Sequence, residues 1–577
     1  MKFNLKLLLI LLLLQPIILA GQSTYPQDYF GSPVDFKIFL SATFGELRPN
    51  HFHSGIDIKT QGVQGKPLYA VANGFVSRIG VAAGGYGKVI YIDHPNGFTS
   101  VYGHCLNFSK TIEEFVSAEQ YKLESFEVNL FPEPEKFPVK KGELIAFAGN
   151  SGSSGGPHLH FEIRTTDEEE PVNPLFFGYK VKDIIKPTLQ RLVVYPFGSF
   201  SQVSGRKKPK EFELAGWGTG YKIKVGDTIP VSGDIYFGIE THDLANDSDN
   251  KTGVFSIELF IDETLVYAHK MESFPFTESR CINSFIDYPN FVKNGRRVQK
   301  TRIEPGNKLS VYTTAKDNGI FSFQDNAIHE LVYLVKDFFG NTSKLVFHVK
   351  SSPAKLSDVI KSVEEGNPEI VFDYDDDNDF ETDDFRIFIP EGALYDTLHF
   401  KYSAGKHVKG TFSAVHHVHN KYTPLQSFCT LAIKPKMVSE KLKGKLLIAR
   451  TGSKAGEYFA VGGEWDDDFI EVQIRDFGDY VVVADTIAPK IAPVNISPGK
   501  AIAAQKTIQV KISDNLAGIK TYRATMNGHW ILMEYDPKNS LLTYKIDEWT
   551  KPGKNQFRLV VTDSRNNEKV YRTDLVK

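Results

Sequence analysis

The chain has only three cysteines in 577 residues, Cys105, Cys281 and Cys429. They are too few and too far apart to make a disulfide framework, so stability has to come from buried apolar surface. Charge of one sign is not in excess either. With 67 Lys and Arg against 70 Asp and Glu, the net charge of −3 sets up no field that draws nucleic acid or an anionic membrane toward the molecule. Long apolar runs are absent after Ala20, so no later segment reads as a membrane span.

The one long apolar stretch, Leu7 to Ala20, follows Lys2 and Lys6 and ends on Ile18-Leu19-Ala20. A basic start, an apolar middle and a small-residue end read as a secretory signal over residues 1–20, removed on export. At about 14 residues, broken by Gln15 and Pro16, the stretch is short of the roughly 20 that span a bilayer, so no stable membrane insertion is expected after cleavage. No cysteine follows it closely, which argues against a lipid anchor. Little sequence separates Gly21 from the first expected strand, so no long inhibitory propeptide is expected.

A chain of this length predicts roughly three to five domains. Between Asp35 and about Leu175, short β-rich runs (Leu68 to Val71, Val89 to Ile92, Leu144 to Phe147, Leu159 to Ile163) are separated by Gly and Asn turns. They predict a compact antiparallel β domain, bounded here at 21–183. Thr111-Ile112-Glu113-Glu114 has the form of a capping box, and Ile112, Phe115 and Val116 follow at helical spacing. A helix over 111–123, inserted between strands, is expected.

Further along, the sequence echoes itself. Asp183-Ile184-Ile185-Lys186-Pro187 returns as Asp485-Thr486-Ile487-Ala488-Pro489, and the Asp-x-x-x-Asn turn of Asp337 and Asn341 returns at Asp563 and Asn567. Repeated β-sandwich modules whose last hairpins close alike would produce this echo. They are placed at 184–352 and 486–577, with a further β module and its acidic linker at 353–485. The expected fold is therefore mainly β: an antiparallel β domain with an inserted helix, then about three β-sandwich (Ig-like) modules. The acidic run Asp373 to Asp384 lacks the glycine-turned, spaced carboxylates of a calcium loop and reads as solvated linker.

The chemistry is concentrated in three segments. On an extended strand residues two apart point the same way, so His158 and His160 share a face while Leu159 and Phe161 face the core. His53 and Asp57 have equal parity in Asn50 to Ile58, and one His and one carboxylate from there would complete a three-ligand site. Imidazole with carboxylate suits zinc, and three protein ligands leave a position for the water that zinc activates. In Val101 to Leu106, His104 is expected to face the site, with Cys105 in the core. A neutral imidazole there can take a proton from the attacking water, or when protonated stabilise an oxyanion. His416-His417-Val418-His419 has the same two-residue spacing without a carboxylate or Gly-rich context, and reads as structural. Asp93 to Gly97 reads as a hairpin turn with His94 exposed.

These residues resemble the LytM/lysostaphin family of zinc peptidases. The family's His-x-Gly-[Ile/Val]-Asp, Gly-Gly-Tyr-Gly, Tyr-x-His and Gly-Pro-His-Leu-His-Phe-Glu occur in order at His53 to Asp57, Gly84 to Gly87, Tyr102 to His104 and Gly156 to Glu162. Pro171-Val172-Asn173-Pro174 resembles the family's C-terminal edge. The likeness covers residues 44–176 and implies an N-terminal LytM-type peptidase domain with one Zn2+ per chain, held by His53, Asp57 and His160. His104 and His158 would be the catalytic pair. Glu162 would orient a ligand imidazole, an exposed surface acid being the other reading. Tyr86 would touch substrate along a groove walled by the glycines, which a plain β-turn explains equally well. The inserted helix would flank that groove.

The implied function is a zinc metalloendopeptidase that hydrolyses peptide bonds in peptidoglycan stem peptides or cross-links, in the periplasm or outside the cell. No nucleic-acid partner is expected, and the β modules would meet the wall or other proteins. A second class is a non-catalytic LytM-like regulator or scaffold of wall hydrolases. Such relatives usually lack one or more of the five side chains, and all five are present here. A third is a wall-binding protein in which the β modules dominate.

Overall fold

The computed structural model describes residues 25–577 apart from 247, 354–369 and 455. The signal reading of residues 1–20 lies outside the described residues. No helix among the described residues is long and apolar enough to cross a membrane.

The first unit is an antiparallel sheet whose strands alternate in the way the sequence does. Its neighbours run Leu40–Ala42, Ile56–Lys59, His158–Thr165, Phe98–Phe108, Lys88–Asp93, Gly74–Val81 and Pro138–Val139. Along His158–Thr165, Leu159, Phe161 and Ile163 are fully buried in one core with Ile56, Ile58 and Tyr102. The intervening His158, His160, Glu162 and Arg164 are thereby turned to the opposite face, as the two-residue strand period requires.

Two local readings shift. The helix forms over Lys110–Leu123 with Ser109, not Thr111, at its N-cap. The chain leaves its strand at Phe108, whose N–H donates to Glu113 Oε2 at 2.8 Å, so Thr111 already lies inside the first turn. His94 is buried, not exposed. It is the last paired residue of its hairpin, its N–H donating to the carbonyl of Phe98, and the exposed tip is displaced to Pro95 and Gly97. Its ring turns inward, within reach of the Asn73 carbonyl at 2.9 Å and Ser100 Oγ at 2.8 Å. Burial lowers its pKa.

Three further cores follow in sequence order. In the second unit the long strand Thr228–Leu244 pairs with Thr188–Val203 and, in parallel, with Thr342–Ser352. The third has two five-stranded sheets, and the last a four-stranded and a five-stranded sheet around one shared core. The acidic run is not a linker. Asn378–Thr382 pairs with Phe385–Ile389 as a hairpin of the third unit, because Phe385 and Ile387 supply the buried alternate positions while Asp379 sits on an exposed strand position and the other aspartates lie outside the strands. All three cysteines are buried and free.

The outer units pack against the first. Phe44 and Phe52 share a core cluster with Met271, Phe274 and Phe285 of the second unit. At the other end the inserted helix, anchored inward by Ile112 and Val116, sets Tyr121 against Trp530 of the last unit at 5.1 Å between ring centres. The Tyr121 hydroxyl donates to Asp547, and Arg523 pairs with Glu124.

Candidate active site

Strand register brings the central groups together. Asp57 stands opposite His160 on one side, and Gly103 stands opposite it on the other. A side chain on Gly103 would press on Tyr86 and His160, so the absent Cβ leaves room for both rings. His53 arrives differently from expectation: it is not on a continuous strand with Asp57 but on a bend at Ser54-Gly55, ahead of Ile56–Lys59. Gly55 permits the bend because a Cβ there would lie 2.4 Å from the carbonyl oxygen of Phe161.

The result is a tight triangle. His53 Nε2 lies 3.0 Å from Asp57 Oδ1 and 3.0 Å from His160 Nδ1, and His160 Nδ1 lies 2.9 Å from Asp57 Oδ1. The other ring nitrogens are engaged elsewhere: His53 Nδ1 with the Thr43 carbonyl at 2.8 Å, His160 Nε2 with Glu162 Oε1 at 2.7 Å. A carbonyl and a carboxylate can only accept, so each imidazole donates outward and, when neutral, turns a bare lone pair inward. With both rings neutral, three acceptor atoms face one another, an arrangement that a metal cation satisfies; without one, a proton on His160 Nδ1 bridges to Asp57. Two imidazoles and one carboxylate are also the donor set of a catalytic zinc site, so the residues fit that metal.

The electrostatics follow from the same contacts. Burial would raise the Asp57 carboxyl, but His53, His158 and His160 hold it well below the usual range. Burial would lower His160, yet its bonds to Asp57 and Glu162 push it up to about 9. Bound metal would take the proton's place on Nδ1.

His104 and His158 stand beside the triangle, their ring centres 4.8 Å apart. His104 has φ 60°, a left-handed backbone that costs about 1 kcal/mol or more for a non-glycine residue. Here it marks a bulge: Lys88 and Ile90 pair with Cys105 and Tyr102, so the strand Phe98–Phe108 carries one extra residue. The bulge aims His104 at the site and leaves Cys105 fully buried, where desolvation pushes the thiol up to about 12. His104 Nδ1 donates to the Ser151 carbonyl at 2.9 Å, and His158 Nδ1 to the Gly156 carbonyl at 2.8 Å. Both rings therefore commit Nδ1 to the backbone and leave Nε2 for the site, that of His158 lying 3.5 Å from Asp57 Oδ1. Burial, with His160 and His158 nearby, depresses His104 to about 3, so it is neutral near pH 7.

Glu162 is fully buried, which removes the exposed-acid reading. Its Oε1 accepts from His160, from Ser54 Oγ at 2.7 Å and from the Tyr86 hydroxyl at 2.6 Å, while Oε2 accepts from Arg164 Nε at 2.6 Å. Burial opposes its charge, but Arg164 and His160 outweigh that and hold it low. Tyr86 thus spends its hydroxyl inward on Glu162, a supporting contact for His160. The sequence reading did not single out Ser54 or Arg164. Arg164 carried a signal, since it follows His158, His160 and Glu162 at the same two-residue step. Glu162→Gln is expected to lower zinc affinity by about 10–100-fold, measured by competition with a chromophoric chelator, because the His160 acceptor loses its charge and Arg164 its partner.

Two glycine-rich loops rim the site and interlock. Ser153 N–H donates to the Gly85 carbonyl at 2.8 Å, and Lys88 N–H to Ser151 Oγ at 2.9 Å. Gly87 has φ 66°, and a Cβ there would lie 2.4 Å from Gly152 N. Gly87→Ala is accordingly expected to destabilise the domain by about 2 kcal/mol or more, read as a lower midpoint in urea denaturation. The last unit reaches this rim: Lys538 Nζ donates to the carbonyls of Asn150 at 2.5 Å and Ser154 at 3.0 Å. On the other flank the Arg164 guanidinium lies over the Phe276 ring of the second unit, 4.6 Å from its centre.

The second histidine group does not converge. His416 bonds Tyr402, His417 pairs with Asp479 and His419 bonds Thr423, three separate partners.

The profile described as peptidase family M23 matches residues 51–121 and 123–174, and that of a Zu5-like domain matches 369–485. The "DD-carboxypeptidase/endopeptidase Mpg" of Neisseria meningitidis is 34% identical over 141 residues, 24% of this chain and 26% of that protein. "Lipoprotein NlpD" of Yersinia enterocolitica is 36% identical over 114 residues, 20% of this chain and 91% of that sequence. "Murein hydrolase activator NlpD" of Salmonella typhimurium is 33% identical over 161 residues, 28% of this chain and 34% of that protein. The chain thus spans about a quarter to a third of the length of the first and third of these relatives. The matched stretch contains the whole triangle, both flanking imidazoles and Glu162, and the chain belongs to peptidase family M23.

Proposed function

We propose that this chain is an active zinc metalloendopeptidase that cuts peptide bonds in the stem peptides or cross-links of peptidoglycan. The observation that carries this reading is the triangle of His53, Asp57 and His160 with two further imidazoles, His104 and His158, standing beside it with Nδ1 held by backbone carbonyls. When bound to His53, Asp57 and His160, zinc supplies the Lewis acidity that polarises a scissile carbonyl and makes a water nucleophilic near pH 7.

The chain's own groups do the rest. Nε2 of His104 or His158 accepts the proton of the attacking water and returns it to the leaving amine. The other ring, when protonated, donates Nε2–H to the developing oxyanion. The Ser151 and Gly156 carbonyls fix each Nδ1–H, so neither ring loses time in the wrong tautomer. Glu162 holds His160, and the loops at Gly84 to Gly87 and Asn150 to Gly156 offer backbone along which an extended peptide can lie. A peptidoglycan substrate requires export, which agrees with the signal read over residues 1–20.

The name of the Salmonella typhimurium relative favours a second reading, in which the domain activates other murein hydrolases without cutting anything itself. Incubating purified sacculi with the zinc-loaded chain, and with His158→Ala, then analysing soluble muropeptides by mass spectrometry separates the two. The peptidase reading expects release by the wild type alone. Stoichiometric zinc with no released peptide would support the activator.

A further inference from the structure

The sequence echo between the second and last units reappears as two clusters of carboxylates, all buried except the half-buried Asp514. In the second unit Asp183, Asp243 and Asp337 each bring an oxygen within 4.8 Å of the others, and in the last unit Asp485, Asp514 and Asp563 do the same. The parts correspond one by one. Asp183 and Asp485 come from the segments that lead into the two units, Asp337 and Asp563 from the turn of the last hairpin, and Asp243 and Asp514 from the end of a strand or just past it.

Their hydrogen bonds correspond as well. Asp183 Oδ1 accepts from Ile185 N–H at 2.9 Å, and Asp485 Oδ1 from Ile487 N–H at 3.1 Å. Asp337 Oδ1 accepts from Asn341 N–H at 2.8 Å, and Asp563 Oδ1 from Asn567 N–H at 2.8 Å. The amide of Asn341 donates to the Asp183 carbonyl at 3.2 Å, and that of Asn567 to the Asp485 carbonyl at 3.0 Å. In each cluster the third aspartate is left short: Oδ1 of Asp243 and Oδ1 of Asp514 are both buried without a hydrogen-bond partner. Asp243 is only 3% exposed. Among the described residues, none of the six aspartates forms an ion pair with a Lys, Arg or His. The first cluster lines a cavity of about 20 Å³ that it shares with Leu40, Thr43 and Phe44 of the peptidase unit, room for one ion or water.

Three like charges packed this closely repel strongly in a desolvated site, and a buried oxygen without a donor is destabilising in its own right. One divalent cation answers both. The donors are all oxygen, the set that hard cations take, whereas zinc sites draw on imidazole and thiolate. We propose that each cluster binds one calcium-type divalent cation, two per chain, and that each ion ties a β unit to the segment leading into it. Bound cation would hold the first unit's exit and the last unit's entry in one orientation. The latter matters for the peptidase, because the last unit carries Lys538 to the rim of the site. These sites stand apart from His53, Asp57 and His160 and hold whether or not the chain cuts peptidoglycan.

The test uses the full chain, zinc-loaded and freed of other metals, dialysed against labelled Ca2+ up to about 5 mM, beyond the range of weak extracellular sites. Two equivalents of Ca2+ are expected. Asp243→Asn and Asp514→Asn should each lose one, the double variant both, with zinc content and circular dichroism unchanged. Wild type should also melt several degrees higher with Ca2+ than with a calcium-selective chelator, a difference the double variant lacks. Fewer than two equivalents in the wild type, or two retained in the folded double variant, overturns the proposal.

Discussion

His160→Ala is expected to abolish stoichiometric zinc binding and to cut peptidoglycan hydrolysis by on the order of 10³-fold or more, the scale on which loss of a principal electrostatic stabiliser acts. His160 is the hinge of the arrangement: Nδ1 belongs to the triangle with His53 and Asp57, and Nε2 to Glu162. Its removal leaves one imidazole and one carboxylate, too few to hold the metal, and leaves the buried Glu162 with one partner fewer. Asp57→Ala is expected to behave alike. Zinc content by atomic emission, measured with the release of soluble muropeptides, gives both numbers. A His160→Ala protein that keeps one zinc per chain would place the metal elsewhere.

His158→Ala and His104→Ala are expected to produce the opposite combination. Zinc should remain at one per chain, while kcat falls by about 10²–10⁴-fold, the range for loss of a general acid or base. The geometry makes the distinction. Both rings lie beside the triangle, and their Nδ1 atoms are tied to backbone carbonyls of the Asn150 to Gly156 loop. Removing them leaves the three inward lone pairs intact. A variant of either residue that cleaves at the wild-type rate has no catalytic ring at that position, and one that loses zinc belongs to the ligand set.

The sequence showed more of this site than of the molecule around it, and the reason is range. The alternation of His158, Leu159, His160 and Phe161 is a local, two-residue signal, and the same step extended to Arg164, which completes the Glu162 contacts. The Ser54-Gly55 bend was less legible because it depends on the Phe161 carbonyl packing from a distant strand. The bulge at His104 was invisible for a similar reason: its N–H is held by the Tyr86 carbonyl and its ring by Ser151, partners no periodicity predicts. His94 was misplaced because turn chemistry marks a tip to within a residue only, and that residue decides between exposed and buried. The contact from Lys538 to Ser154 joins residues 384 apart in sequence, beyond any local pattern. The Asp-x-x-x-Asn echo was read as a hairpin signal, which it is, but the carboxylates it brings to Asp243 and Asp514 lie outside the repeated text.

The central claim is that two imidazoles and a carboxylate bind zinc with a coordination position to spare. X-ray absorption at the zinc edge of the purified full chain addresses it most directly. The account predicts one zinc per chain with two imidazole-type and one carboxylate-type donors at about 2.0–2.2 Å, and no stoichiometric zinc in His53→Ala. A spectrum with sulfur donors, or with four protein ligands and no exchangeable position, would contradict it.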